Sequence, residues 1–261
     1  MKTLTQLPEV ELAPATRVIA DLHLDLGRAD GAERFLRWLG SISDLPRLVV
    51  LGDLFDVWVG PAQERMPGAP AVLDALRDRV GRGTKIDVVH GNRDFLLDAT
   101  FEARTGARVH PHGLIGRIDR SAEGGPDERV VLLHGDELCT RDKAYQRLKR
   151  VIRSRPVAGV APHLPLPVAT FLARALRRTS VRALETKPPD SKLLQEAACR
   201  WHAYAYDAGT IVCGHAHAYR DMRLAAGPRW IVLDAFGGDR DVLEVDRRCE
   251  LRMSRSLQRP A

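Results

Sequence analysis

Five polar clusters each follow directly on a short apolar run, and that repetition constrains the fold of this chain more than any other feature. They are Asp21-Leu-His23 after Arg17-Val-Ile-Ala, Gly52-Asp53 after Leu48-Val-Val-Leu, Gly91-Asn92-Arg93-Asp94 after Ile86-Asp-Val-Val-His, His134-Gly-Asp136 after Val130-Val-Leu-Leu, and Gly214-His215-Ala-His217 after Ile211-Val-Cys. A short β-branched run bounded by glycine or polar residues reads as a buried strand, so each cluster falls at a strand's carboxyl end. In open α/β sheets ligands bind at that end. A lone Asp-x-His or His-Gly-Asp is more often a turn with a satisfied side chain. Five in succession, delivering carboxylates, imidazoles and an amide to one edge, are not explained by packing.

Between these runs the pattern is helical. Phe35, Leu36 and Leu39 share one side of an amphipathic stretch over 32–39, and a second helix is expected over 71–80 before the strand at 86–89. Alternating strands and helices predict a layered α/β domain, and 261 residues suffice for one such domain with an insertion. Aromatic residues are only 5% of the chain, so the core must be mainly aliphatic. The first fifteen residues carry Glu9 and Glu11 and lack a continuous apolar stretch, so no secretory signal is read there and a cytoplasmic location is expected. Cys139, Cys199, Cys213 and Cys249 show no paired spacing and read as reduced thiols. His90, His110, His112, His163 and His202 belong to no cluster and read as structural or surface histidines.

Residues 141–192 stand apart. They hold thirteen basic residues against three acids, a net charge of +10 in a chain whose total is +6, so the remainder is acidic. Tyr145, Leu148, Val151 and Ile152 recur at helical spacing, as do Val168, Phe171, Leu172, Ala175 and Leu176, around a proline-rich link. One reading is a solvated helical hairpin. The other is a basic cap inserted in the domain, binding an anionic amphipathic molecule and resting on an anionic membrane surface. Nucleic acid fits less well, because the segment offers only Tyr145 and Phe171 for base stacking.

Carboxylate, imidazole and amide oxygen together suit borderline divalent metals such as manganese, iron or zinc, whereas calcium and magnesium prefer all-oxygen cages. Two such ions about 3.5–4 Å apart form the two-metal device for in-line displacement at phosphorus. Arg93 bears on the leaving group: a guanidinium cannot donate a proton, its pKa lying above about 12, but it can stabilise charge on departing oxygens. A leaving group that departs as an anion, such as a phosphate monoester, is therefore favoured over an alkoxide.

Asp-x-His, Gly-Asp, Gly-Asn, His-Gly and Gly-His-x-His in this order resemble the motifs of the calcineurin-like metallophosphoesterases. That resemblance implies an α/β sandwich of two mixed β-sheets flanked by helices, here a single domain over 1–261 with a helical cap over 141–192. It also implies two divalent ions, manganese foremost, with Asp21, His23 and His217 on one, Asn92, His134 and His215 on the other, and Asp53 shared. Asp53, Asn92, Arg93 and His134 would carry the catalysis. Within the family the chain is most similar to diphosphatases of the lipid A pathway, through Ile19-Ala-Asp-Leu-His-Leu24, Gly52-Asp-Leu-Phe-Asp-Val-Trp58, His90-Gly-Asn-Arg-Asp-Phe-Leu-Leu97 and His134-Gly-Asp-Glu-Leu-Cys-Thr140. This closer resemblance implies an amphipathic nucleotide-sugar lipid as substrate, met at the cytoplasmic face of the inner membrane. Asn92, Arg93, Asp142, Tyr145, Arg177, Ser180, Lys187 and His215 would contact it. The resemblance breaks at Leu184, where the family places asparagine, and at Lys187-Pro-Pro-Asp190, so another nucleotide diphosphate or phosphodiester stays open as the substrate. A non-catalytic module on the same fold is the reading from a different class, and the full set of candidate ligands argues against it. Asp25, Asp56 and Asp94, beside the candidate ligands, are expected to orient imidazoles.

Overall fold

Alternating apolar residues that face two ways decide the layering. In β3 (Arg47–Leu51) all five residues are buried: Leu48 and Val50 face one apolar cluster and Val49 and Leu51 another, as period-two geometry requires of a strand covered on both faces. The computed structural model describes residues 5–186 and 193–256. In it β3 runs parallel to β2 (Arg17–Ile19) and β4 (Lys85–Val89), with β5 (Arg108–His110) beyond β4. On the other side β11 (Val242–Val245) joins β2 antiparallel and β12 (Leu251–Ser254) closes the edge, giving the order β12-β11-β2-β3-β4-β5. The second sheet has the order β1-β6-β7-β8-β10-β9, with β1 (Glu9–Glu11), β6 (Leu114–Ile118), β7 (Glu128–Leu132), β8 (Thr210–Cys213), β9 (Arg220–Arg223) and β10 (Arg229–Val232).

Val18, Val49, Leu51 and Val89 of one sheet meet Leu114, Val130, Leu132, Val212 and Ile231 of the other in the central core. Helices α1 (Glu33–Ser41), α2 (Ala69–Gly81) and α3 (Ala99–Thr105) cover the outside of the first sheet, and α7 (Glu196–Ala205) covers the outside of the second. The result is the expected sandwich of two mixed sheets between helices. In α1 the buried face is Phe35, Trp38 and Leu39, so Trp38 takes the place expected of Leu36, which is only partly buried. The strands β1, β5, β6 and β9–β12 carry no signal used in the sequence reading. Some are three residues long, and β9, Arg-Asp-Met-Arg, is exposed throughout and shows no apolar alternation.

The basic segment forms α4 (Lys143–Ile152), α5 (Arg155–Val160) and α6 (Leu166–Thr186). It seats on the loop after β3 through a small cluster of Val59, Ala169 and Ala173. The apolar residues of α4 are split: Leu148 and Val151 are exposed, at 45% and 62%, Tyr145 and Ile152 are half-buried, and Lys149 is buried. The buried side of α4 meets polar partners instead, Lys149 lying beside Asp136 and Glu137.

Across the first sheet, Asp87 of β4 accepts from the Arg47 guanidinium of β3 and lies 2.7 Å from His110 Nε2 of β5, and all three side chains are buried. Removing one partner of such a set strands a buried charge, which costs roughly 3–5 kcal/mol. Asp87→Ala should therefore lower the free energy of unfolding by about that amount. Urea titration of the metal-free protein measures it, and a loss close to that of a surface substitution would show the triad to be inert.

Candidate metal centre

The five ligand-bearing clusters divide between the sheets. Those after β2, β3 and β4 rise from the first and those after β7 and β8 from the second, so the candidate site lies between the carboxyl ends of both sheets and not on one edge as the strand pattern suggested. The side chains meet in two groups. In one, Asn92 Oδ1 lies 3.0 Å from His134 Nε2 and 3.2 Å from His215 Nδ1, and the two imidazole nitrogens are 3.2 Å apart. In the other, His23 Nε2 is 3.1 Å from His217 Nε2, which is 3.4 Å from Asp21 Oδ1. Asp53 stands between them, its Oδ2 lying 3.8 Å from His134 Nε2 and 3.8 Å from His23 Nδ1.

This arrangement fits divalent cations. Asp21 Oδ1 and His23 Nδ1 are buried with no hydrogen-bond partner, and two pairs of imidazole nitrogens face each other at about hydrogen-bonding distance, where unshared electron pairs repel unless something positive separates them. The donor set of carboxylate, imidazole and amide oxygen is one that manganese, iron or zinc accepts. The backbone is strained at the same place. Among the described residues nine non-glycine positions have positive φ, and Asp21 (54°), His23 (49°), Asp53 (51°), His215 (69°) and His217 (49°) are five of them. Such conformations cost on the order of 1–3 kcal/mol each and persist where surrounding structure enforces them.

The enforcing contacts are specific. The Asp94 carboxylate accepts from the amides of Gly91 (2.8 Å), Leu54 (2.7 Å), Asp53 (3.3 Å) and Phe55 (3.5 Å), tying the loop after β4 to the loop after β3. Asp21 Oδ2 accepts from the His215 amide at 2.7 Å and ties β2 to the loop after β8. His134 Nδ1 is 2.8 Å from the Leu51 carbonyl oxygen, which leaves Nε2 to face Asn92 and His215. Gly91 has to be glycine because a Cβ there would overlap the Asp53 carboxylate and amide. The expectation for Asp25, Asp56 and Asp94 is corrected: among the described residues their hydrogen bonds go to backbone amides or guanidiniums, not to imidazoles.

Arg93 is half-buried, its Nη1 2.8 Å from Asp56 Oδ1 and its Nε 3.7 Å from Asp53 Oδ2. The other oxygen of Asp56 takes Arg177 Nη1 of α6 at 2.7 Å. One carboxylate thus holds two guanidiniums, from core and cap, beside Asp53. Asp142 caps α4 by accepting from the Tyr145 amide, and the Tyr145 hydroxyl donates to Asp136. Lys187 and the side chain of Ser180 lie outside the described residues. His90, with Nε2 2.8 Å from the Leu97 carbonyl oxygen, and His110 on Asp87 are structural, as read from the sequence. Lys149 and Arg153 enter the sequence reading only through the charge of residues 141–192, and Asp136 only as part of its motif. The pairing of Asp56 with Arg93 and Arg177 joins residues 37 and more positions apart, which no local pattern announces.

Residues 16–219 match the calcineurin-like phosphoesterase family. The UDP-2,3-diacylglucosamine hydrolase of Pseudomonas fluorescens strain Pf-5 is 34% identical over 235 residues, 88% of this chain and 91% of that protein. Its namesake from Azotobacter vinelandii is 36% identical over 241 residues, covering 88% and 94%. The chain belongs to the calcineurin-like phosphoesterase family. Its candidate dimetal site is accordingly the cluster around Asp53.

Burial holds protons off some of these donors and on others. It pushes His23 down to about 3 and His215 down to about 4, so both are neutral electron-pair donors near pH 7. It pushes Asp53 up to about 7, whereas at His134 burial is outweighed by Asp53 and Asp21 and the imidazole rises to about 9. A cation binding here must displace the protons that Asp53 and His134 retain. Manganese affinity should therefore rise with pH through about 7 to 9, with protons released on binding. Calorimetry in buffers of different ionisation enthalpy counts those protons; affinity independent of pH would contradict this description of the site.

Proposed function

We propose that this phosphoesterase hydrolyses the diphosphate of UDP-2,3-diacylglucosamine, releasing UMP and 2,3-diacylglucosamine 1-phosphate. The observation that carries the proposal is the meeting of two donor groups at Asp53 beside the Arg93–Asp56–Arg177 clamp. The names of the relatives supply the substrate. Asp21, His23 and His217 would hold one divalent ion and Asn92, His134 and His215 the other, with Asp53 on both; manganese is the first candidate. Bound there, the ions would supply Lewis-acid charge to the phosphoryl oxygens and lower the pKa of water.

The chain's own residues do the rest. Asp56 fixes the Arg93 guanidinium beside Asp53, where it meets negative charge developing on the diphosphate oxygens. Water adds to the α-phosphorus as the bond to the bridging oxygen breaks, and that oxygen leaves as part of a phosphate monoester. Such a group departs as an anion, so an arginine suffices where an alkoxide would need an acid. Arg177 would bring a second cation from the cap to the same oxygens, and Asn92 and His215, 3.2 Å apart, would contact the substrate as well. Asp142 and Tyr145 set the start of α4 and, with Ser180 and Lys187, would complete head-group recognition. Asp53→Ala or His134→Ala should cut UMP release from the diacyl substrate with manganese in detergent by more than the roughly 10- to 100-fold typical of losing an outer partner of a ligand. Full activity in either variant would refute the site. Equal turnover of a soluble UDP-sugar would refute the lipid substrate and leave the metal chemistry standing.

Residues 141–192 would form the substrate cap and rest on the cytoplasmic face of the membrane. Support comes from exposed Leu148, Val151 and Phe171, the last at 70%, standing among exposed Arg147, Arg150, Arg174 and Arg178. No helix among the described residues is long and apolar enough to cross a membrane. Binding to phosphatidylglycerol vesicles should weaken with salt and with Phe171→Asp, and be absent on phosphatidylcholine. Cosedimentation reads this, and equal binding to both lipids would sink the membrane reading.

A further inference from the structure

Helix α4 buries polar side chains and leaves two aliphatic ones outside. Leu148 and Val151 face solvent, while its core side presents Tyr145, Gln146, Lys149 and, one turn on, Arg153. Lys149 is 9% exposed, with its ammonium 2.7 Å from Asp136 Oδ2 and 2.9 Å from Glu137 Oε1. Asp136 is fully buried and stands two residues after His134, while Glu137 Oε2 accepts from the Gly135 amide at 3.3 Å. Gln146 donates to the Asp136 carbonyl oxygen at 2.8 Å. Arg153 donates through Nη2 to the Gly91 carbonyl oxygen, at 3.1 Å, and through Nη1 to the Pro111 carbonyl oxygen, also at 3.1 Å. Gly91 immediately precedes Asn92.

A buried ion pair gains little stability over well-packed apolar residues, because desolvation consumes most of the Coulomb attraction. Stability alone therefore does not account for a helix that buries a lysine and exposes a valine and a leucine. What the arrangement does produce is fixed geometry at two loops. The Lys149 ties end on the loop carrying His134 and an Arg153 tie ends on the loop carrying Asn92, two donors of the same group. No contact of Lys149 or Arg153 among the described residues reaches Asp21, His23 or His217.

We propose that Lys149 and Arg153 are positioning residues that hold Asn92 and His134 in register, so that the first cap helix is a structural part of one of the two cation sites. The inference rests on the reading that the two donor groups each hold an ion. It differs from substrate contact: these side chains act on the loops behind the donors and bond backbone or carboxylates, not a ligand.

The test is manganese binding to the full chain, followed by electron paramagnetic resonance and calorimetry, with thermal unfolding of the metal-free forms in parallel. Wild type should bind two ions. Lys149→Met and Arg153→Gln should each keep one ion at wild-type affinity and weaken the other by roughly 10- to 100-fold, the range for partners that orient metal ligands. Lys149→Arg should restore most of that loss. Arg147→Gln, which removes an equal charge from the exposed side of α4, should bind as wild type does. Two ions bound at wild-type affinity by both Lys149→Met and Arg153→Gln would overturn the proposal. So would equal weakening of both sites in proportion to a fall in melting temperature, since that marks a merely structural role. Fewer than two ions on wild type would instead overturn the reading of the site itself.

Discussion

The carboxylate of Asp94 is the contact on which the rest of the site depends. It is fully buried, yet four backbone amides from two loops converge on it, those of Gly91, Asp53, Leu54 and Phe55. Charge-assisted bonds of this kind are shorter and stronger than neutral ones, and they oppose the burial that pushes this carboxyl up. Because the four donors belong to the ends of β3 and β4, the carboxylate sets the distance between Asp53 and Asn92. Gly91 permits that approach, and the Arg93 amide, 2.9 Å from Asp53 Oδ1, then fixes the orientation of Asp53. Everything that Asp53 shares between the two donor groups follows from this stitching.

Strain and electrostatics follow from the same closeness. Packing ligands from five strand ends into one small volume forces left-handed backbone at Asp21, His23, Asp53, His215 and His217, and sets imidazoles nitrogen to nitrogen. The two sheets supply the stiffness that carries this cost: β3 and its neighbours are buried on both faces, so the loops have little room to relax. The cluster retains protons at Asp53 and His134 and holds unpartnered atoms at Asp21 and His23, which is what a bound cation would balance. Stability and metal affinity are thus linked through the same side chains.

The cap is joined to this centre at two kinds of contact. Asp56 draws Arg177 of α6 alongside Arg93, which places cationic charge where a diphosphate would lie. The polar side of α4 grips the loops behind Asn92 and His134, leaving Leu148 and Val151 outward beside the arginines. A single helix thereby turns apolar side chains outward among arginines and its polar side toward the loops of the candidate site.

The identity of every candidate ligand was legible in the chain, because a strand announces itself by a local period of two and each candidate sits within two to four residues of a strand end. The basic character of 141–192 was legible for the same reason, being a matter of composition. Long-range contacts were not: His134 meets His215 across 81 positions and Asp53 meets Asp94 across 41, and neither is encoded in a local repeat. Sequence therefore determined which chemical groups are present and that they gather at strand ends. Only the tertiary structure decided how the strands are shared between the two sheets, that Asp25, Asp56 and Asp94 serve amides and cations instead of imidazoles, and that α4 turns its lysine inward. Those outcomes depend on which buried charges find partners when distant segments pack, and that is a property of the assembled core.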